Sequence, residues 1–330
     1  MKTFLVNLDY EAFLFGPNYN AQSSKNIAAI KEFEYVFFLV NKDICRLKNY
    51  KNYSQNYLDK LKELGFFIPE FSSEDNKVEN WWGKKTNLEL EKKLNSKLTS
   101  CEIARKYGWG FLDGKVVSNL EEVNSHIENL PHSKFLLKSP FSFSGIGHSY
   151  FEKGNVPLVK FNSELLLEPV YNRVCDIGYT YVQENGNYIS DFLVLNFNNE
   201  KGSFKGGMGF KNIQLALDFI STEYGFNFSE IEINNYKKIV DIYKNLGAKE
   251  NIQIDSFIYK DELSNKLKLY QLVEVNYRKT MGLIINSLCE HFNRNRIEFR
   301  ITHTGQFEND SNWIKLSPED NKFNSYIRLF

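Results

Sequence analysis

The residues best suited to chemistry in this sequence lie on two neighbouring apolar runs, 254–259 and 268–276. Both runs are rich in β-branched and aromatic residues, and the turn-forming residues between them predict an antiparallel hairpin. Glu274 and Asn276 are two positions apart, so their side chains share one face of the second strand, and Asp255 can join them from the first. Two carboxylates and an amide oxygen are hard ligands of the kind that Mg²⁺ prefers. The pattern therefore predicts a metal site, while the same residues would also suit the solvated face of an edge strand.

Arg278 favours the metal site, because it lies four positions after Glu274 and just beyond the strand. Its guanidinium is always protonated and offers a fixed set of donors to a phosphoryl group or a developing oxyanion. The run Glu-x-Asn-x-Arg, preceded by an Asp one strand earlier, resembles the metal-binding end of the ATP-grasp superfamily, which includes the D-alanine–D-alanine ligases and biotin carboxylase. Gln253 stands where the D-alanine–D-alanine ligases have Arg, so we expect Arg278 to take the anion-stabilising role.

The composition limits the classes of function. With 41 basic and 41 acidic residues among 330, the formal net charge is zero, which argues against a nucleic-acid-binding protein. Hydrophobic residues make up 42% and charged residues 25%, which is typical of a globular protein with a substantial core. Residues 1–16 contain too short an apolar run, and acidic residues too early, for a signal peptide or a membrane span. The four cysteines are widely separated, so we expect reduced thiols in a cytoplasmic protein.

A lysine followed by a turn of small residues precedes the hairpin. Lys138 ends a predicted strand, 135–138, and a Ser/Gly-rich turn follows it. Small residues such as Ser144, Gly145 and Gly147 let backbone N–H groups approach phosphate oxygens, while the ammonium group supplies a compact positive charge. The stretch is not a Walker A motif. It resembles the glycine-rich lid of ATP-grasp proteins; from the residues alone it would equally suit a hairpin turn.

Two further lysines are candidates for phosphate contacts. Lys97 stands near the head of a predicted helix, and the resemblance implies that it reaches the ATP phosphates from the first subdomain. From the residues alone, a solvated surface lysine is equally favoured. Lys205 belongs to a predicted mobile loop, 202–207, and we expect it to reach the γ-phosphate or the acyl phosphate. Loop lysines are commonly only solvated, which is the alternative there.

The nucleoside site is expected where an apolar strand ends at Glu168 and breaks at Pro169. The resemblance implies that Glu168, Val170 and Tyr171 line the adenine slot at the hinge between two subdomains, and that Asp176 binds the ribose hydroxyls. Pro169 has no N–H, which removes one possible backbone donor to the adenine.

The order of predicted elements indicates the fold class. Strands over 2–7 and 35–40, with a helix over 26–32 between them, predict a β-α-β start and a parallel sheet. The resemblance implies an α/β (α+β) protein in which a small Rossmann-like parallel α/β domain, the pre-ATP-grasp domain, precedes an ATP-grasp fold of two α+β subdomains. The predicted units are residues 1–85 for the pre-ATP-grasp domain, 86–167 for the N-terminal ATP-grasp subdomain with its lid, and 168–330 for the C-terminal subdomain with the metal site.

The activity that the resemblance implies is ATP- and Mg²⁺-dependent ligation, with Mn²⁺ as an acceptable substitute. A carboxylate is activated as an acyl phosphate and joined to an amine, with Arg278 and Lys205 as catalytic residues. The implied partners are small-molecule or peptide carboxylates and amines, with no nucleic acid and no membrane, in a homodimer. A kinase that phosphorylates a small molecule and a non-catalytic ATP-binding protein are the alternatives.

Overall fold

The computed structural model describes three sheets with helices against them. The described residues are those of the whole chain apart from 16–19, 21–22, 73–76, 142–146, 158–160, 162, 185, 201, 304–306 and 308–309. The α/β (α+β) prediction is confirmed, because one sheet is parallel and the two others are antiparallel. None of the helices formed by the described residues is long and apolar enough to span a bilayer.

The N-terminal unit is a four-stranded parallel sheet with strand order β3-β2-β1-β4. Serine side chains begin two of its helices: Ser23 accepts from the Asn26 N–H, and Ser54 accepts from the Tyr57 N–H. The elements are β1 Thr3–Leu5, α1 Tyr10–Phe15, α2 Ser24–Phe33, β2 Arg46–Leu47, α3 Gln55–Glu63, β3 Glu70–Phe71 and β4 Val78–Asn80.

The strand predicted over 35–40 was wrong. The structure has a 3-10 helix, Glu34–Phe37, followed by a turn. A short run of apolar residues that is buried on all sides does not distinguish a strand from a buried helical turn. Glu34 anchors this 3-10 helix to the segment after β2, because its buried carboxylate accepts hydrogen bonds from the Tyr50 N–H at 2.8 Å and the Lys51 N–H at 3.2 Å. The parallel sheet takes β2 instead as the neighbour of β1.

The second sheet is antiparallel, with order β5-β8-β6-β7. One face carries an apolar cluster that includes Phe135, Leu137 and Leu167. Because side chains alternate along a strand, Lys138 and Glu168 project from the other face. The elements are α4 Leu88–Leu94, α5 Lys97–Tyr107, β5 Lys115–Val117, α6 Leu120–Glu128, β6 Lys134–Lys138, β7 His148–Glu152 and β8 Leu165–Pro169.

The third sheet has eight antiparallel strands in the order β13-β12-β9-β10-β11-β14-β16-β15. Leu193 and Leu195 face the core beneath α7 and α8, whereas Phe192 and Val194 face the core shared by α9 and the N-terminal unit. The elements are β9 Asn172–Glu184, β10 Asn187–Asn198, β11 Phe204–Phe210, α7 Ile213–Tyr224, α8 Glu230–Asn245, β12 Ile252–Lys260, β13 Leu267–Asn276, α9 Met281–His291, β14 Arg296–His303, β15 Ile314–Lys315 and β16 Phe323–Leu329.

The mobile loop predicted over 202–207 was also wrong, because most of it belongs to strand β11. Its glycines serve close packing: a Cβ added to Gly207 or Gly209 would lie 2.7 Å from the side chain of Ile285 in α9. Glycine in a strand commonly marks such a close approach. Lys205 is the bulged residue of this strand, since Phe197 pairs with Gly206 and the next pair skips Lys205.

Candidate active site

The predicted hairpin is β12 and β13, and its register brings the proposed metal ligands together. Asp255 pairs directly with Glu274, and Gln253 pairs with Asn276. The Asp255 carboxylate accepts hydrogen bonds from the side-chain amides of Gln253 at 2.7 Å and Asn276 at 2.8 Å. Burial, followed by the negative charge of Glu274, raises the pKa of Asp255 to about 7. Two carboxylates and an amide oxygen, held together against their repulsion, fit a divalent cation bound by oxygen ligands.

The described residues contain no group of three or more His, Cys, Asp and Glu side chains placed to hold a metal. The candidate set differs from such a group because its third oxygen comes from the amide of Asn276. That oxygen accepts a hydrogen bond from Arg278 at 2.9 Å in this structure. The charge of a cation at this site would therefore be balanced by Asp255 and Glu274. Its other ligands would be water or substrate oxygens, as is usual for Mg²⁺.

Lys97 is buried against this hairpin and does not extend into solvent. It is the first residue of α5, after the N-cap Ser96, and its ammonium group forms an ion pair with Glu274. The whole residue is 8% exposed. Burial by itself would raise the pKa of Glu274, but the charge and hydrogen bond of Lys97 outweigh burial and hold the pKa below its ordinary value. The carboxylate is thus ionised and already faces a positive charge.

Lys138 and Glu168 form a second ion pair on the face of the second sheet opposite its apolar cluster. Both side chains are 7% exposed. Tyr270 donates a hydrogen bond to the same carboxylate, and its hydroxyl oxygen accepts from the Phe111 N–H at 2.6 Å. Tyr270 lies on β13, four residues before Glu274, so this network joins β6 and β8 of the second sheet to the β12–β13 hairpin. Sequence reasoning missed Tyr270, although its place on the site hairpin was a usable signal.

Arg278 is fixed by three contacts. Its Nε atom pairs with Glu11, one Nη atom donates to the Asn276 side-chain oxygen at 2.9 Å, and the other donates to the Lys279 carbonyl at 3.0 Å. The side chains of Arg278 and Glu11 are each 14% exposed. Glu11 was also missed; the available signal was its place in α1, directly after the first strand, where open α/β sheets place ligand contacts.

The predicted adenine and ribose residues lie around the start of β9. The Val170 N–H donates to the Lys134 carbonyl at 2.9 Å, so it is already engaged within the sheet. Tyr171 packs its ring against Tyr259 at 4.8 Å and Tyr270 at 5.4 Å between centroids. Asp176 shares a sheet face with Asp255, because their strands pair Asp176 with Phe257 and Gly178 with Asp255.

The remaining predicted residues fall outside this group. Lys205 lies on β11, three strands from β12, or roughly 14 Å at the ordinary strand spacing. Its ammonium group is 5.9 Å from the ring centre of Phe323. Ser144 and Gly145 lie outside the described residues. Gly147 has a φ of 80° and immediately precedes β7, so it leads the chain into that strand.

Comparisons with known proteins bear on the fold. No protein-family model matches the sequence, and no curated protein matches it by sequence. Among solved structures, N5-carboxyaminoimidazole synthetase from Staphylococcus aureus, complexed with ADP, has a TM-score of 0.53 at 12% identity and covers 99% of this chain and 92% of its own. Biotin carboxylase from Campylobacter jejuni, in a β,γ-ATP complex, has a TM-score of 0.55 at 10% identity, covering 100% and 87%.

A third similar structure is the biotin carboxylase domain of Hydrogenobacter thermophilus 2-oxoglutarate carboxylase, with a TM-score of 0.51 at 12% identity. It covers 100% of this chain and 86% of its own, and it was solved with MgADP, ADP and bicarbonate. Because these likenesses span nearly the whole chain and include biotin carboxylase, the protein has the ATP-grasp fold predicted from its sequence. At such low identity the likeness concerns the fold alone.

Proposed function

We propose that this protein is an ATP- and Mg²⁺-dependent ligase that activates a carboxylate as an acyl phosphate and joins it to an amine. The observation that carries the proposal is the pairing of Asp255 with Glu274, with Lys97 against one carboxylate and Arg278 beside Asn276. The fold supports it, since the similar structures include proteins solved with ADP, with ATP or with MgADP and bicarbonate.

The lysines are the proposed contacts of the triphosphate. Lys97 and Lys138 each face a carboxylate of the protein, Glu274 and Glu168 respectively. Phosphate oxygens are acceptors that compete for such ammonium groups, so a bound triphosphate would exchange these carboxylate partners for phosphate. The glycine-rich turn that ends at Gly147 is the proposed lid over the phosphates.

The nucleoside would lie beside the hinge. Glu168, Val170 and Tyr171 are the proposed lining of the adenine slot, and Asp176 is the proposed partner of the ribose hydroxyls. The Val170 N–H already donates to the Lys134 carbonyl. We therefore propose that the carbonyl of Val170 accepts a hydrogen bond from the adenine amino group.

Asp255, Glu274 and Asn276 are the residues that would hold Mg²⁺. The ion would neutralise phosphate charge and orient the γ-phosphoryl group. The charges around it are consistent with this role, because a cation between two paired carboxylates would offset the repulsion by Glu274, which after burial is the second cause of the raised pKa of Asp255.

Two displacements complete the proposed reaction. A carboxylate oxygen of the substrate forms a bond to the γ-phosphorus while the bond to the β–γ bridging oxygen breaks, and ADP leaves. The amine then forms a bond to the acyl carbon, loses a proton, and expels inorganic phosphate. Arg278 would stabilise the oxyanion of the second step, and removing one such donor costs roughly 2.7–4 kcal/mol of transition-state stabilisation in comparable sites.

The first test measures binding of the nucleotide by thermal melting with Mg²⁺ alone, ATP alone, and both together. The wild type should melt at a higher temperature with both, because a ligand at 100 times its Kd stabilises the native state by about 2.7 kcal/mol. Glu274→Gln should lose the Mg²⁺-dependent part. Glu262→Gln, in the exposed turn of the same hairpin, is the matched control and should behave as wild type. Absence of any shift in the wild type at millimolar Mg-ATP contradicts the proposal.

The second test distinguishes a ligase from a kinase. Hydroxylamine attacks acyl phosphates to give hydroxamates, whereas the phosphate ester left by a hydroxyl kinase does not react in this way. A panel of carboxylates with Mg-ATP and hydroxylamine should give hydroxamate and ADP in equal amounts for the substrate class. A phosphate that stays on the substrate and yields no hydroxamate would favour the kinase.

A further inference from the structure

His148 lies beside the proposed phosphate lysine in the second sheet. It is the first residue of β7, and its backbone partner on β6 is Lys138. Directly paired residues of an antiparallel sheet project to the same face. Lys138 and Leu136 are two residues apart on β6 and so share a face, on which Leu136 pairs with both Glu168 and Tyr150. The face that carries His148 is therefore the face of the Lys138–Glu168 ion pair. The strand therefore directs the His148 ring to the side of this ion pair, away from the apolar cluster on the opposite face.

The ring has a polar atom that the fold does not use. Nδ1 of His148 is buried and has no hydrogen-bond partner among the described residues. The ring lies 6.4 Å from that of Tyr150 between centroids, in an edge-on arrangement. Buried polar atoms in native proteins are nearly always paired, so an unpaired one points to a partner that binds there. A structural role in the strand would be filled better by an apolar β-branched residue.

Charged groups on four elements act on this ring electrostatically. Lys138 lies on β6, Lys97 on α5, Arg173 on β9 and Glu274 on β13. Burial, and after it the positive charges of Lys138 and Lys97, lowers the pKa of His148 to about 4. The imidazole is thus neutral near pH 7 and carries one N–H donor. A neutral donor adds no charge repulsion to two ammonium groups, and it suits an anion that those groups attract.

We propose that His148 is a nucleotide-binding residue, whose Nδ1–H donates a hydrogen bond to a phosphate oxygen of the bound nucleoside triphosphate beside Lys138. The inference rests on the proposed function and adds to it a phosphate contact on β7. Phosphate is favoured over the base, because His148 pairs with Lys138 on β6 and its ring is under the positive charges of Lys138 and Lys97. A phosphate oxygen can only accept, which matches a donor that lacks an acceptor.

The test compares three replacements of His148. The side-chain nitrogen of Asn can take the place of Nδ1, that of Gln takes the place of Nε2, and Leu has no donor. His148→Asn should retain Mg-ATP affinity within about twofold, whereas His148→Gln and His148→Leu should each raise the Kd about tenfold, which equals about 1.4 kcal/mol. His303→Asn, an exposed histidine on β14, is the matched control and should leave the Kd unchanged.

Binding of ATP, AMP and adenosine to each variant shows which part of the nucleotide is contacted. The Leu variant should lose affinity for ATP and keep wild-type affinity for adenosine. Equal loss for adenosine and ATP would overturn the phosphate assignment, and wild-type ATP affinity in the Leu variant would overturn the inference as a whole. Circular dichroism and the melting temperature of each variant identify any that fails to fold, and the correctly folded Asn and Gln pair then decides the question.

The same data separate this inference from the proposed function. If wild type binds Mg-ATP and Glu274→Gln does not, the proposed site stands, and the His148 variants test the inference alone. If wild type shows no affinity for Mg-ATP, the proposed function and the inference both fail.

Discussion

Replacement of Lys138 by Met tests whether the ion pair at the centre of the site is as buried as the structure shows. Met keeps the length of the apolar stem and removes only the ammonium group. Glu168, 5% exposed, is then left ionised in the interior with Tyr270 as its hydrogen-bond donor. Breaking a buried pair by removing one partner costs about 3–5 kcal/mol. Because the Tyr270 hydroxyl still stabilises the charge, we expect about 3 kcal/mol, a large part of a total stability of roughly 5–15 kcal/mol.

The sign of the pH dependence follows from the two pKa shifts. Burial would raise the pKa of Glu168, but Lys138 outweighs it and holds the pKa below 4.5. This contribution is therefore present above pH 4.5 and is lost as the pH falls through the folded-state pKa. Burial would lower the pKa of Lys138, but Glu168 outweighs it and holds the pKa above 10.5, so on the alkaline side the same ion pair is fully formed up to pH 10.5 and is lost as the pH rises through the folded-state pKa of the lysine. Without Lys138, burial raises the pKa of Glu168, and the deficit of the Met variant should shrink as the pH falls from 8 to 5.

Urea unfolding, followed by tryptophan fluorescence and circular dichroism at pH 8, 6.5 and 5, measures this deficit. Lys134→Met, at the exposed start of the same strand, is the matched control and should stay within about 0.5 kcal/mol of wild type. The double variant Lys138→Met/Glu168→Gln should be more stable at pH 8 than the single variant, because it no longer buries an unpaired charge. A single variant within 1 kcal/mol of wild type at every pH would refute the reasoning, as would a double variant no better than the single.

Two further predictions follow from other contacts. Tyr270→Phe removes the donor to Glu168 and the acceptor of the Phe111 N–H. We therefore expect the free energy of unfolding in urea to fall by about 1–3 kcal/mol. A fall of less than about 0.5 kcal/mol would show that water replaces the hydroxyl. Gly206→Ala should destabilise the protein far more than Gly202→Ala. Both glycines have positive φ, at 146° for Gly206 and 79° for Gly202. A Cβ added at Gly206 would meet the Phe299 carbonyl, whereas one added at Gly202 would meet nothing within 4 Å. Equal melting temperatures of the two variants would contradict the close approach of Gly206 to Phe299.

Local patterns predicted the parts of the site that lie close together in sequence. The hairpin with Asp255, Glu274 and Asn276 could be predicted because alternation along strands fixes which side chains share a face. The strand that ends at Lys138 was predicted for a similar reason, and a helix was predicted shortly after Lys97, whereas in the structure α5 begins at Lys97 itself. The burial of Lys97 could not be predicted, because it depends on β13, which lies 177 residues away along the chain.

The errors arose where the pattern is compatible with two structures. The run at 35–40 is apolar throughout, and such a run fits a buried helical turn as well as a strand. The stretch around Lys205 is rich in glycine, which is common in loops, but here the glycines admit α9 against β11. Neither choice can be made without knowing which neighbour packs against the segment.

The sequence by itself determined the site hairpin and, through the resemblance of its motifs, the fold class and the residues proposed to bind a triphosphate and a metal, because periodicity and side-chain chemistry are properties of short segments. Only the tertiary structure decided which charges meet. Lys97 faces Glu274, Arg278 faces Glu11 from the N-terminal unit, and the Nδ1 atom of His148 is left without a partner. These contacts join residues distant in sequence, and their energies depend on distance and burial, which the packing of the three sheets fixes.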